Sequence, residues 1–342
     1  MHPDVRTDLA ALPPATRRLL KQLRAEVLTV APDAEEAFSY RIPAFRLDGR
    51  AFVWYAGFNE QSKGTVRFPL SKPLATTLVR KLVRAKVREL RALALLLLTL
   101  PGLACARPAG EPPPTYEVTA RFPHDTTAYT QGLVRDDSVL YESTGRYAHS
   151  ELRRVELRTG RVLARRSLAN DRFGEGLALL GGRLYQVTWK SGVGYVYDAA
   201  TLAPLDSFTY LGEGWGLATD GRVLFMSDGS DSIRIMSPRS LTVERSVHVR
   251  FKGAPVRKLN ELEYVDGALL SNVYETDLVL RIDPASGDVT QVLDFAELYR
   301  DRPFGVDVLN GIAIAPESGQ LLLTGKYWPV MFQVRLLAPP AR

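Results

Sequence analysis

The sequence predicts an all-β fold, a five-bladed β-propeller, preceded by a small truncated α+β domain and a signal-like apolar segment. Three observations carry this. A pattern of four short strands recurs five times after residue 112. Each copy opens on Gly-Leu or its equivalent, at Gly132-Leu133, Gly176-Leu177, Gly216-Leu217, Glu261-Leu262 and Gly311-Ile312. The last copy stops after three strands, and YEVTARF (Tyr116 to Phe122) can supply the fourth. The apolar members of these openings are 44, 40, 45 and 50 residues apart. A period of that size with four strands per copy marks a propeller. A strand borrowed from the other end of the ring removes the open sheet edges.

Three segments follow, at 1–90, 91–112 and 113–342. In the first, Leu9, Leu12, Leu19, Leu20, Leu23, Val27 and Val30 recur at helical spacing, which predicts a helix over residues 5–30 that Pro32-Asp33 stops. SYRIPAFRLDGRAFVWYAGF reads as two strands around the turn signal Asp48-Gly49. Val79 to Arg91 reads as a closing basic helix.

In the second segment, RALALLLLTLPGLACARPAG, the run Leu93 to Leu103 is apolar apart from Thr99, and it is too short to span a bilayer, which needs about 20 apolar residues. A basic stretch before it and Ala104-Cys105-Ala106 after it match an export signal, and Cys105 suggests a lipid anchor. The propeller is therefore expected outside the cytoplasm, periplasmic or extracellular. An export signal this far into a chain suggests two joined reading frames, with a start near Val83 or Val87.

The chain has 44 Lys+Arg and 38 Asp+Glu, of which residues 1–106 hold 17 and 9, leaving 27 and 29 for the rest. The basic excess thus belongs to the first segments, and no nucleic-acid partner is expected for the propeller. The single cysteine, Cys105, leaves the propeller no internal disulfide. A monomer is expected.

In a propeller the innermost strands start beside the central channel. The residues just before the five openings, Gln131, Glu175, Trp215, Asn260 and Asn310, should therefore meet at one mouth. Second strands ending near the same axis add Glu142, Trp189, Tyr274 and Lys326. Such a set offers a carboxylate and a lysine for proton transfer and oxyanion stabilisation. It also offers carboxamides for an amide substrate and aromatics to exclude water. The four histidines fall in no metal-ligand spacing, and there is no G-x-S-x-G elbow or phosphate loop. Three readings stay open on these residues: an amide-handling enzyme, a calcium-dependent propeller lactonase, and a non-catalytic peptide- or glycan-binding propeller.

Two stretches carry family resemblances. SYRIPAF, the LDGR turn and KGTVRFPLSKPL resemble the YdhG-like family, small cytosolic bacterial domains of which some are considered frataxin-like. That family usually carries a longer segment where only Gln61 and Ser62 separate Phe58-Asn59-Glu60 from Lys63-Gly64-Thr65. YTQGL, YESTGRY, FGEGL, GWGLATDG, LNELEYVDG, DVLNGIA and TGKYWP, in that order from about Tyr116 to Leu337, resemble the papaya-type glutaminyl cyclases of plants and bacteria. The resemblance implies a five-bladed propeller that turns N-terminal glutamine of peptides or proteins into pyroglutamate and releases ammonia. It implies Glu175 as general base and acid. It implies Asn260, Gln131 and Lys326 as substrate-binding and oxyanion-stabilising groups, and Trp189 and Trp215 as pocket walls. No catalytic metal or other cofactor is implied, and a structural ion in the channel stays open. At NVYETD, Tyr274 stands where the family has a tryptophan and Glu275 where it has a glutamine.

Overall fold

The computed structural model describes residues 12–39, 42–47, 50–54, 74–98, 115–300, 302–303, 306–315 and 318–337. Cys105, the cleavage pattern around it and the Asp48-Gly49 turn lie outside the described residues. The chain divides into two compact units, Met1–Pro112 and Pro113–Arg342.

In the first unit, helix α1 (Pro14–Val30) precedes an antiparallel sheet of β1 (Glu35–Ser39), β2 (Ile42–Leu47) and β3 (Arg50–Trp54), and helix α2 (Thr76–Leu98) follows. Leu20 and Val27 of α1 meet Val79, Val83 and Val87 of α2, with Phe45 and Leu47 of β2 completing the core. Val79, Val83 and Val87 recur every four residues, so one face of α2 is buried. Two readings from the sequence change here. A third strand, β1, precedes the expected pair; its EEAFS run lacks the alternation that marks a strand. The basic helix also runs without a break into the apolar stretch as far as Leu98, because no helix breaker occurs before Pro101. Among the described residues no helix is long and apolar enough to cross a membrane.

The second unit begins with β4 (Tyr116–Pro123). Blade 1 holds β5 (Thr130–Asp136), β6 (Val139–Thr144), β7 (Glu151–Glu156) and β8 (Val162–Ser167). Blade 2 holds β9 (Gly174–Leu180), β10 (Arg183–Thr188), β11 (Val193–Asp198) and β12 (Pro204–Thr209). Blade 3 holds β13 (Leu217–Thr219), β14 (Leu224–Ser227), β15 (Ser232–Met236) and β16 (Val243–His248). A short hairpin, β17 (Arg250–Phe251) and β18 (Ala254–Pro255), leads to blade 4 with β19 (Leu259–Val265), β20 (Ala268–Val273), β21 (Leu278–Ile282) and β22 (Val289–Asp294). Blade 5 holds β23 (Leu309–Ala315), β24 (Gln320–Gly325) and β25 (Val330–Leu336), and β4 pairs antiparallel with β25 to complete it. The five-bladed propeller is closed as the sequence predicts.

The opening dipeptides explain how the blades pack. Leu133, Leu177, Leu217, Leu262 and Ile312 are all buried, and each falls in a different one of five apolar clusters. Each cluster joins two adjacent blades; Leu217, for example, packs with Tyr185 and Phe208 of blade 2 and Met226 of blade 3. A buried leucine contributes roughly 1.5–3 kcal/mol, so these layers hold the ring together. The residue before it must be small because the inner strands nearly touch. A Cβ at Gly176 would come within 2.3 Å of the Leu217 nitrogen, and one at Gly216 within 2.1 Å of the Asn260 carbonyl oxygen. The fourth opening has Glu261 instead. Its buried side chain crosses the axis, accepting hydrogen bonds from the backbone N–H of Leu133 (3.3 Å) and of Ile312 (3.0 Å).

Candidate active site

Two backbone positions per blade build the mouth of the channel. The first precedes the opening and holds Gln131, Glu175, Trp215, Asn260 and Asn310. The second follows the end of the second strand and holds Gly145, Trp189, Asp228, Tyr274 and Lys326. A recurring hydrogen bond ties the two together. Gly145, Trp189, Tyr274 and Lys326 donate their N–H to the carbonyls of Tyr129 (2.8 Å), Phe173 (3.0 Å), Lys258 (2.9 Å) and Val308 (3.0 Å). Each acceptor lies two residues before its blade's first-position side chain. The next residue bends the chain away in a left-handed conformation in four blades: Arg146 (φ 115°), Gly229 (77°), Glu275 (65°) and Tyr327 (63°). Such φ values are costly for residues other than glycine, and the blade ends impose them. Two pairs of contacts brace these rim residues. The Arg146 guanidinium donates to the Tyr327 hydroxyl at 3.1 Å, and Lys258 (φ 66°) forms an ion pair with Glu275.

The first-position side chains form a hydrogen-bonded string. Asn310 Nδ2 donates to the Thr130 carbonyl (2.9 Å) and to Gln131 Oε1 (3.3 Å). Gln131 Nε2 in turn donates to Glu175 Oε1 at 2.7 Å. Among the first-position side chains, the buried acceptors Asn260 Oδ1 and Asn310 Oδ1 meet no hydrogen-bond donor among the described residues. Orphaned acceptors of this kind cost about 1–3 kcal/mol each unless a ligand donor or water meets them.

Glu175 and Lys326 are both buried. Among the described residues Lys326 makes no ion pair; its ammonium lies 4.7 Å from the centre of the Tyr129 ring and 5.0 Å from that of Tyr274. Burial pushes the Glu175 carboxyl well above the usual carboxylate range, and the nearby Glu213 charge pushes the same way. The Lys326 ammonium and the Gln131 hydrogen bond oppose this shift. Burial pulls Lys326 down, against the charges of Glu175, Asp307 and Glu275. A carboxyl raised and an ammonium lowered approach one another, which suits a site where protons move without a covalent intermediate.

The walls are aromatic. Phe173 packs on Trp189 with ring centres 5.5 Å apart, and Trp215 meets Tyr274 edge-on at 5.5 Å. The indole N–H groups of Trp189 and Trp215 both donate to Glu213 Oε2, at 2.8 and 3.0 Å.

One expected member lies elsewhere. Glu142 is not at the mouth. It sits three residues before the second position of blade 1, and its buried carboxylate accepts from Thr130 Oγ1 (2.7 Å) and pairs with His124 Nε2 (2.9 Å). Arg153 Nη1 lies 3.8 Å from its other oxygen. The residue of blade 1 that matches Lys326 is Gly145, where a Cβ would come within 2.2 Å of the Phe173 ring. The Phe173 ring thus takes up the space beside Gly145. The structure adds Tyr129, Phe173 and Glu213, which stand two residues before Gln131, Glu175 and Trp215. That fixed offset is the sequence signal by which they could be found.

Comparison with known proteins agrees with this geometry. A family model described as glutamine cyclotransferase matches residues 92–336. A glutaminyl-peptide cyclotransferase of Arabidopsis thaliana is 42% identical over 232 residues, which cover 66% of this chain and 72% of the plant protein. The crystal structure of Myxococcus xanthus glutaminyl cyclase superposes with a TM-score of 0.61 at 37% identity, over 65% of this chain and 96% of that one. The chain belongs to the glutamine cyclotransferase family.

Proposed function

We propose that this glutaminyl-peptide cyclotransferase closes an N-terminal glutamine with Glu175 as the group that moves the protons. The α-amine attacks the γ-carboxamide carbon, a C–N bond forms, the bond to the amide nitrogen breaks, and ammonia leaves. Glu175 takes a proton from the attacking amine and returns it to the departing nitrogen, so the products are pyroglutamyl peptide and ammonia. The observation that carries this role is the buried Glu175 carboxyl, raised by burial and 2.7 Å from Gln131 Nε2. A carboxyl so raised matches an α-amine, whose ordinary pKa is about 7.7–8.0, better than an exposed one would.

The other residues take complementary parts. The Lys326 ammonium stabilises the oxyanion that develops on the γ-carbonyl oxygen. Asn260 Oδ1 and Asn310 Oδ1 supply buried acceptors for substrate N–H groups. Gln131 holds Glu175 in place. Trp189, Trp215 and Tyr274 cover the aliphatic stem of the glutamine and keep water out. These groups supply base, acid and oxyanion charge among themselves, so no step calls for a metal.

The test uses a short peptide with N-terminal glutamine, followed by mass spectrometry for loss of one ammonia against an uncatalysed blank. Conversion above blank by the wild type and not by Glu175→Gln supports the assignment; equal conversion by both removes Glu175 from the mechanism. We also infer export of the propeller from the basic-apolar-small order of Val79 to Ala106, with processing near Cys105. Intact mass of the protein from its native cell checks it: retention of residues 1–80 by the mature chain would overturn it.

A further inference from the structure

Glu213 lies between Gly212 and Gly214 on the turn that enters blade 3, and it is half-buried. A single oxygen of it accepts from two indoles that come from different blades, Trp189 after β10 at 2.8 Å and Trp215 before β13 at 3.0 Å. The backbone makes the same tie, since Gly214 N–H donates to the Trp189 carbonyl at 3.0 Å. Each indole is also braced by another ring. Trp189 has Phe173 at 5.5 Å, and Trp215 has Tyr274 at 5.5 Å. Trp215 further lies over Gly229, where a Cβ would approach its ring to 2.6 Å. With those neighbours fixed, the freedom left to the two walls is rotation of the indoles about their own side-chain bonds. A shared acceptor removes that freedom for both at once, because each N–H must point at the same atom.

We propose that Glu213 is a positioning residue that clasps Trp189 to Trp215 and thereby sets the width of the slot for the glutamine stem. The assignment rests on the reading of the mouth as the glutaminyl site. It gives Glu213 a role in ground-state binding of the substrate, beside the charge by which it helps push the Glu175 carboxyl up. A substrate stem that no longer fits a narrow slot loses uniform binding, which appears in KM before kcat.

Two substitutions separate the clasp from the charge. Glu213→Leu removes the acceptor at similar volume, whereas Glu213→Gln keeps an oxygen acceptor at the same reach and removes only the charge. For an N-terminal glutamine peptide, Glu213→Leu is expected to raise KM by about 10-fold or more with kcat within about threefold, and Glu213→Gln to recover most of that KM. Tryptophan emission is expected to shift in Glu213→Leu and to stay near the wild type in Glu213→Gln. Trp189→Phe keeps a ring and removes one donor. On that background Glu213→Leu should cost less in KM than it does alone, which provides a second reading should the single leucine variant fold poorly. Wild-type KM and emission in Glu213→Leu would overturn the proposal. So would a Glu213→Gln variant whose KM rises as far as that of the leucine variant, since charge and not the clasp would then matter. If wild-type protein does not convert the peptide, the glutaminyl reading fails, and the emission comparison still decides the clasp.

Discussion

Lys326 and Tyr274 occupy the same position on two adjacent blades, and the ammonium of the first lies 5.0 Å from the centre of the second's ring. The repeat therefore presents a cation and its aromatic support from one backbone position. A buried lysine over two rings, with no ion pair among the described residues, keeps its charge directed at the substrate space. Replacing it by methionine keeps the volume and removes that charge. Lys326→Met should lower kcat by about 10²–10³-fold, the range for losing one oxyanion-stabilising group. Because Lys326 opposes the rise of the Glu175 pKa, the acid limb of the residual pH–rate profile should also move to higher pH. An unmoved limb would show that the two groups are not electrically linked.

Glu175→Gln should reduce turnover by at least about 10²-fold, as expected for loss of a general base. The same change should stabilise the fold. The native carboxyl holds its proton more tightly than the unfolded one, whose pKa is near 4.5. Native protein thus binds more protons than unfolded protein above that pH, and its stability falls as pH rises through the window between the two values. The variant lacks this penalty, so its melting temperature should exceed that of the wild type by a margin that grows with pH from about 4.5 upward. Melting curves at several pH values check it.

The pair His124–Glu142 joins the closing segment to blade 1. Burial opposes a charge on His124, but Glu142 2.9 Å away and the Trp328 carbonyl raise its pKa above 6.5. Its contribution is complete below 6.5 and is lost as pH rises through the higher native value. His124→Ala should destabilise the propeller by about 3 kcal/mol, the scale for breaking a buried pair. The gap to the wild type in denaturant unfolding should be larger at pH 6 than at pH 9.

Chelator should leave the cyclisation rate unchanged, because base, acid and oxyanion stabiliser are all side chains. Dialysis against EDTA followed by the ammonia-release assay checks this. A rate that falls with EDTA and returns with added calcium would require a metal in the reaction or in the fold.

Much of this molecule is legible in its sequence, and the reasons are local. The blade count follows from Gly-Leu openings, because inner strands too close for a Cβ demand glycine and the leucine beside it must fill an interblade layer. Gln131, Glu175, Asn260 and Asn310 follow from their place before those openings. Glu142 lies inside the second strand of its blade, two residues before its end, and Gly145, which follows that strand, holds the position that Lys326 takes in blade 5. Glu261 departs from the glycine pattern, and its role becomes visible only once blades 1 and 5 bring Leu133 and Ile312 to it. The Glu213 clasp is hidden for a similar reason, since Trp189 and Trp215 come together only in the closed ring. In the first unit, β1 is missed because strand pairing, not alternation, defines it.

The closing pair β4 and β25 also constrains when the ring can form. Thr119 Oγ1 donates to the Gln333 carbonyl at 3.2 Å across 214 residues of sequence. A chain made from its N-terminal side holds β4 early and must wait for β25, so the last interblade layer cannot form until almost the whole propeller is present. Topologies with such distant contacts fold late and slowly. The same delay leaves blade 5 one strand short, with β4 unpaired, until the last strand of the ring has been made.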